Sequence, residues 1–228
     1  MIIVARKKKK KIKFKKVFIF LMCLVILSGL FYVAVSMPIH NIYIKGNHIV
    51  SDEEIIRLAE LDDYPSFLLT SSSDVRKKII KNQYIEEVVV KKEFGNVITI
   101  TIDEYQPIAL TKDRMIILSN GLKIDNQYDL SDIPVLINTI ENKDIYQSFA
   151  KKFGRIRVDI LRQISEIEYS PVEVDTDRFL LYMNDGNLVY VTLTKIEKIN
   201  RYNDIKDKLE NRLGTIYLDA GDYVELRK

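Results

Sequence analysis

The chain has no tryptophan, a single cysteine and two histidines among its 228 residues. Cys23 lies inside an apolar run, so the part that follows has neither a disulfide nor thiol chemistry. His40 and His48 stand eight residues apart around a turn signal. Zinc sites usually draw on three or four ligands, and no third ligand stands at metal spacing here. The eight glycines are spread over turns, so there is no glycine-rich phosphate loop. Ser71-Ser72-Ser73 lacks both the nucleophile elbow and a partnering histidine, and reads as a loop ending in a helix cap. Glu53-Glu54 and Glu86-Glu87 are adjacent carboxylates, and neighbours on a strand point to opposite faces, so solvated faces explain them. The lack of tryptophan also weighs mildly against a sugar-stacking groove.

Acid is missing from one stretch. Between Arg6 and Lys16 there are nine Lys and Arg residues and no Asp or Glu. A formal net charge of +3 less those nine is −6, so the remainder is mildly acidic. A nucleic-acid-binding domain would carry its basic surface in the folded part, and this chain does not.

What the sequence does have is Val17 to Val35, an uncharged run interrupted only by Ser28 and Gly29. Nineteen helical residues span about 28 Å, close to the hydrocarbon thickness of a bilayer. Ala34-Val35-Ser36 resembles a signal-peptide cleavage site, but the run exceeds the roughly 7–15 residues of a secretory signal, which favours an uncleaved anchor. Nine cations precede it, against Lys45 alone in the fifteen residues after it. The asymmetry puts the N-terminus in the cytoplasm and Met37 onward outside. Beside a span, the basic run serves topology and attraction to anionic lipid. The exported part, about 190 residues, can build a core without covalent staples.

Periodicity and turn chemistry outline that part. His40–Lys45 alternates, with Ile42 and Ile44 on one face, and Gly46-Asn47 ends it. Ser51 stands as an N-cap with Glu54 three residues on, a capping box before Ile55, Leu58 and Ala59. A second short helix from about Ser73 buries Val75, Ile79 and Ile80. Strands at Ile85–Lys92 and Val97–Glu104 flank the turn Glu93-Phe94-Gly95-Asn96, completing a β-α-α-β-β order. Beyond Pro107, Asn120-Gly121 predicts a type I′ hairpin turn. Asp144 to about Gln163 is helical with a break near Gly154, and Asn184-Asp185-Gly186-Asn187 joins a second hairpin. Thr194 and Glu197 form another capping box, opening a helix whose stripe is Ile196, Ile199, Tyr202, Leu209 and Leu213. Gly214 is placed as its C′ glycine. Ile216–Leu218 and Tyr223–Leu226 are the last strands.

These residues resemble the FtsQ/DivIB family of bacterial cell-division proteins. The resemblance rests on a basic tail, one span and an immediate β-α-α-β-β unit. Its stretches are Ile42-Tyr43-Ile44-Lys45-Gly46-Asn47 with Ser51, Glu54 and Ile55, then Tyr84-Ile85-Glu86-Glu87-Val88 and Glu104-Tyr105-Gln106-Pro107-Ile108-Ala109. Asp132-Ile133-Pro134-Val135-Leu136 and the Asp185-Gly186 hairpin fit the family's second domain. The resemblance implies an α+β fold with a single N-terminal transmembrane helix. A POTRA domain of β-α-α-β-β order follows, then a mostly antiparallel β domain with packed helices. The expected boundaries are a basic cytoplasmic tail 1–16, the transmembrane helix 17–36, the POTRA domain 37–107 and the β domain 108–228. About 16 residues precede the span, whereas many Gram-positive members have longer tails at both ends, so tail functions are not expected here.

The implied function is a non-enzymatic divisome scaffold at the septum, with no cofactor. Its implied partners are single-span division proteins resembling FtsL and FtsB/DivIC, and through them septal peptidoglycan synthesis. Tyr223, Val224, Glu225, Leu226 and Arg227 are the candidate partner-binding residues, because a short alternating strand there would form a sheet edge. The alternative for these side chains is that they complete the core. Gly46, Asn47, Ser51 and Glu54 are read as the structural turn and cap. A membrane-anchored or secreted cell-wall hydrolase is the alternative function, and a POTRA-type transport module a third.

Overall fold

The computed structural model describes residues 14–210 and 212–227. Arg6 to Lys13 of the basic run therefore lie outside the described residues. Helix α1, Phe14–Ser36, has 23 residues with none buried, and is long and apolar enough to cross a membrane. Among the described residues it already includes Phe14, Lys15 and Lys16, three residues ahead of the expected span. It stops two residues before Pro38, whose ring disfavours helical backbone in the residue it follows.

The described chain forms two compact units. One gathers the residues up to Lys45 with Glu53–Ile79 and Val89–Thr101; the other gathers Gly46–Asp52, Ile80–Val88 and Ile102 onward. The β-α-α-β-β order is present as β1 (Asn41–Lys45), α2 (Asp52–Leu58), α3 (Ser72–Ile79), β2 (Ile85–Glu93) and β3 (Val97–Glu104). Their three-stranded sheet has the order β1-β3-β2, with β1 parallel to β3 from Asn41↔Val97 to Lys45↔Thr101. A parallel pair needs a crossover, and the stretch with α2 and α3 provides it. Ile55, Val75, Ile79, Ile98 and Ile100 are buried, whereas Ile80 falls past the end of α3 and is exposed. Gly95 and Asn96, at φ 85° and 59°, supply the two positive angles of the tight β2–β3 turn.

The second unit carries a nine-stranded sheet. Its strands are β4 (Pro107–Leu110), β5 (Ile116–Leu118), β6 (Lys123–Ile124), β7 (Val135–Leu136), β8 (Ile164–Tyr169), β9 (Arg178–Met183), β10 (Leu188–Thr192), β11 (Gly214–Tyr217) and β12 (Tyr223–Leu226). The spatial order is β12-β11-β10-β9-β8-β7-β4-β5-β6. Most neighbours are antiparallel; β4–β7, β7–β8 and β10–β11 are parallel. Helices α4 (Lys143–Phe153), α5 (Val158–Leu161) and α6 (Tyr202–Lys208), with a 3-10 helix at Leu193–Arg201, share one apolar core with the sheet. Phe179, Leu181, Met183, Val189, Val191 and Ile216 belong to that core. Alternation along the strands therefore puts Tyr182, Tyr190 and Tyr217 on the opposite face. Phe149, Phe153 and Phe179 cluster at ring distances of 4.4, 5.3 and 5.6 Å.

Several local expectations are corrected. In the Asn120-Gly121 hairpin only Gly121 has a positive φ, 87°, so the turn is not type I′. The Gly121 N–H donates to Leu118 O at 2.8 Å and Leu118 N–H to Leu122 O at 2.9 Å, a three-residue loop with a left-handed glycine. The helix expected from Thr194 begins as the 3-10 segment, with Thr192 at its N-cap and no side-chain cap bond. Glu197 instead pairs with Arg155 at 3.0 Å. That helical region ends at Lys208, Leu213 is exposed, and Gly214 opens β11. A Cβ on Gly214 would lie 3.0 Å from Val224 Cγ1 and 3.1 Å from Glu225 O, so this glycine admits β12 alongside.

Candidate functional site

The stretch from Gly46 to Glu54 is held by local polar contacts. Gly46 has φ 87°, and a Cβ there would meet the Ile102 carbonyl oxygen at 2.3 Å. Asn47 Nδ2 donates to Val50 O and to Asp52 Oδ1, each at 2.8 Å. Ser51 stands immediately before α2, and Glu54 lies in its first turn. One residue that sequence reasoning assigned no role here is central. The Glu104 carboxylate accepts the N–H groups of His48, Ile49 and Val50, all at 2.9 Å. Its signal was visible, since Glu104 opens the acidic-x-x-Pro joint at Pro107. Gln106 beside it exchanges bonds with Ser119, and its side chain reaches Ile156 O at 3.0 Å. These groups satisfy backbone donors and acceptors, which is structural work.

No group of three or more His, Cys, Asp or Glu able to hold a metal occurs among the described residues. A cleft of about 800 Å³ is lined by His48, Glu104, Asp132, Leu161 and Arg162 among others. Glu104 in it is already engaged by three backbone donors.

The sheet edge at Tyr223 has a different character. Among the described residues β12 is the terminal strand of nine and pairs only with β11, from Gly214↔Leu226 to Tyr217↔Tyr223. Its free side therefore carries a row of backbone N–H and C=O groups without a neighbouring strand. All four β12 residues are exposed, including 51% of Tyr223, so these side chains do not complete the core. Arg227, just past the strand, donates its backbone N–H to Leu213 O at 2.9 Å and its guanidinium to Gly186 O.

Tyr223 extends a ladder across the sheet face opposite the apolar core. Its ring stacks on Tyr217 at 4.6 Å, Tyr217 stacks on Tyr190 at 5.3 Å, and the Arg178 guanidinium lies 3.8 Å over Tyr190. Arg178 is held there by Asp219 at 2.6 Å. Tyr217 donates to Glu225 at 3.3 Å, and Tyr182 to Glu168 at 2.7 Å. The bond to Glu168, with some burial, pushes the Tyr182 phenol up to about 12, so it stays a donor at ordinary pH. Stacked tyrosines with a fixed cation offer broad, rigid contact area that costs little entropy to order. The sequence pointed to Tyr223 but not to Tyr190 or Tyr217. Each is the single tyrosine of its strand, and their alignment with Tyr223 follows only from the pairing.

Support for the edge lies beneath it. Asn187 Oδ1 accepts the Gly214 N–H at 2.8 Å, and Asn187 Nδ2 contacts Asp185 and the Tyr202 hydroxyl, each at 3.1 Å. Lys206 pairs with Asp185 at 3.1 Å. The β9–β10 turn thus ties α6 to the start of β11.

Comparison with known proteins agrees with this layout. Residues 37–105 match the model for the POTRA domain, FtsQ-type. The cell division protein DivIB of Bacillus subtilis (strain 168) is 32% identical over 215 residues, covering 91% of this chain and 81% of that protein. DivIB of Geobacillus kaustophilus (strain HTA426) is 28% identical over 214 residues, covering 90% and 80%. The solved extracytoplasmic domain of divib from Geobacillus stearothermophilus aligns at 28% identity and a TM-score of 0.40, over 47% of this chain and 96% of that one. With a relative at 32% identity along nearly its whole length and an FtsQ-type POTRA match directly after the apolar helix, the chain belongs to the FtsQ/DivIB family of bacterial cell-division proteins.

Proposed function

We propose that this protein is a non-enzymatic, membrane-anchored scaffold of the division septum. Helix α1 is its anchor, with the N-terminus cytoplasmic and everything from Met37 outside. The reading is supported by the nine-to-one cation imbalance across the apolar run. Residues 37–107 act as the POTRA domain and 108–228 as the β domain that receives partners. Those partners are single-span division proteins resembling FtsL and FtsB/DivIC, and through them the scaffold helps position or regulate septal peptidoglycan synthesis.

The observation that carries this reading is the β12 edge: a terminal, wholly exposed strand backed by the Tyr190-Tyr217-Tyr223 ladder. A partner segment extended beside β12 adds a strand. Main-chain bonds give the affinity, and Tyr223, Glu225 and their neighbours select the sequence. The test is co-purification of tagged full-length protein from membranes, followed by identification of what comes with it. Small single-span division proteins, together with midcell enrichment of a fluorescent fusion, support the scaffold. A uniform envelope signal with no such partner counts against it.

A further inference from the structure

Within the first unit, three exposed apolar side chains stand beside the end of α1. Phe94, in the β2–β3 turn, is fully exposed, and Leu68 and Leu69 are more than half exposed. Gly95 and Asn96 provide the positive φ angles of that turn, so its geometry does not require phenylalanine at 94. A polar residue would serve the fold equally well.

Hydrogen bonds fix how close these groups are to the membrane-crossing segment. Ser66 Oγ donates to Val35 O, and the Phe67 N–H donates to Met37 O at 2.9 Å. On the hairpin side, the His40 N–H donates to Asn96 O at 2.8 Å, and Asn96 Nδ2 reaches Pro38 O at 3.2 Å. Val35 closes the uncharged run, so Ser66 lies level with its last turn. Leu68 is one residue and Leu69 two residues from Phe67, and Phe94 is two residues from Asn96, both of which are bonded to residues 35–38. Beyond its hydrocarbon core of roughly 30 Å, a bilayer carries polar layers that bring it to roughly 40–45 Å. With α1 crossing the bilayer as the anchored reading has it, groups tied this closely to the end of the span fall at the depth of that polar layer.

The chemistry of the patch suits that depth. Lys92 Nζ sits 4.3 Å over the Phe67 ring and donates to Thr70 O at 3.0 Å, which keeps an ammonium beside the apolar groups. The Phe67 and Thr70 carbonyls hold that ammonium at the edge of the patch, a polar head beside apolar groups as at a membrane boundary. A cleft of about 490 Å³ lined by Met37, Pro38, His40, Phe67 and Phe94 lies on the same surface, with Glu93 the acid on its rim.

We propose that Phe94, Leu68 and Leu69 insert into the outer-leaflet interface of the membrane that α1 crosses, giving the first unit a second lipid contact. This inference rests on the anchored reading of α1. It makes the lipid surface the occupant of the patch, with Lys92 at phosphate level.

The absence of tryptophan from the chain provides a clean probe. Full-length Phe94→Trp, Leu68→Trp, Lys45→Trp and Leu27→Trp proteins are reconstituted separately into phosphatidylethanolamine/phosphatidylglycerol vesicles. A portion of the lipid is brominated high on the acyl chain. Lys45 ends the β1–β3 pairing farthest from Asn41 and serves as the water-exposed reference; Leu27 lies inside the span and reports insertion. The inference expects roughly twofold or greater quenching, with blue-shifted emission, at positions 94 and 68 relative to position 45, as for interfacial aromatic groups. Quenching at Leu27→Trp without quenching at 94 and 68 overturns this inference alone. No quenching at Leu27→Trp overturns the anchored reading and this inference with it. A shift at 94 that appears only when a second division protein is co-reconstituted assigns the patch to protein and also overturns it.

Discussion

The Tyr202 hydroxyl donates to both carboxylate oxygens of Asp185, at 2.9 and 2.8 Å. With Asn187 and Lys206 it clamps the β9–β10 turn to α6, and Asn187 passes that constraint to Gly214 at the start of β11. The edge strand rests on β11, so the start of the proposed docking edge is tied to a side-chain network on the far side of a hairpin.

Tyr202→Phe removes the donor and leaves its ring in the core. The expected loss is about 1.5–3 kcal/mol, the range for a hydrogen bond to a charged group. Denaturant unfolding of the detergent-solubilised protein measures it. A loss near zero would mean the network does not hold the turn.

Asp185 also makes part of the stability pH-dependent. Burial by itself raises its pKa, but the Asn187 N–H, the Tyr202 hydroxyl and Lys206 outweigh that and hold it below 3.8. A carboxylate with a lowered folded pKa contributes stability above its unfolded value and loses it as pH falls through the folded one. The stability gap between the native protein and Asp185→Asn should therefore narrow as pH falls from about 5 to about 3. A gap that is constant or widens over that interval contradicts the assignment.

The fold was legible wherever local chemistry decided it. Gly46-Asn47, the break at Gly154 and the two late strands needed no tertiary information, because turn residues and alternation mark them directly. Thr194 misled because its capping-box spacing is only a local signal. The chain there enters a 3-10 helix, with Thr194 Oγ1 3.0 Å from Thr192 Oγ1. Gly214 misled because two different needs, a helix stop and a close strand neighbour, select the same residue. At the candidate site, Tyr223 was legible from alternation near the last strand. Tyr190 and Tyr217 join it only through the β10–β11–β12 register, a long-range pairing that no local pattern encodes.

Glu104 and Ser51 should separate in magnitude. Glu104→Ala strands three N–H groups, with a cost of about 1–3 kcal/mol or more. Ser51→Ala should cost about 0.5–2 kcal/mol, typical of a lost cap. Thermal melts of both variants check this. Loss of partner capture with an unmoved melting curve in either would make the turn a functional surface.

Protease added to intact spheroplasts should remove the region from Met37 onward and leave a short membrane-bound stub. A mature secreted form beginning near Met37, or full protection of the chain, contradicts the anchored N-in arrangement.

If β12 receives a partner strand as proposed, Tyr223→Ala should disrupt that docking. Tyr223 is half exposed, so truncation should leave the melting curve of the full-length protein close to native. Interface anchors of this type lose about 2 kcal/mol or more on truncation, roughly a thirtyfold fall in affinity. Membrane co-purification of Tyr223→Ala, and of a deletion after Asp222, is compared with native protein for capture of single-span division proteins. Docking at β12 requires folded protein with capture reduced about thirtyfold or abolished. Capture at native levels by the folded variants would contradict it, and so would capture lost only because the protein unfolds.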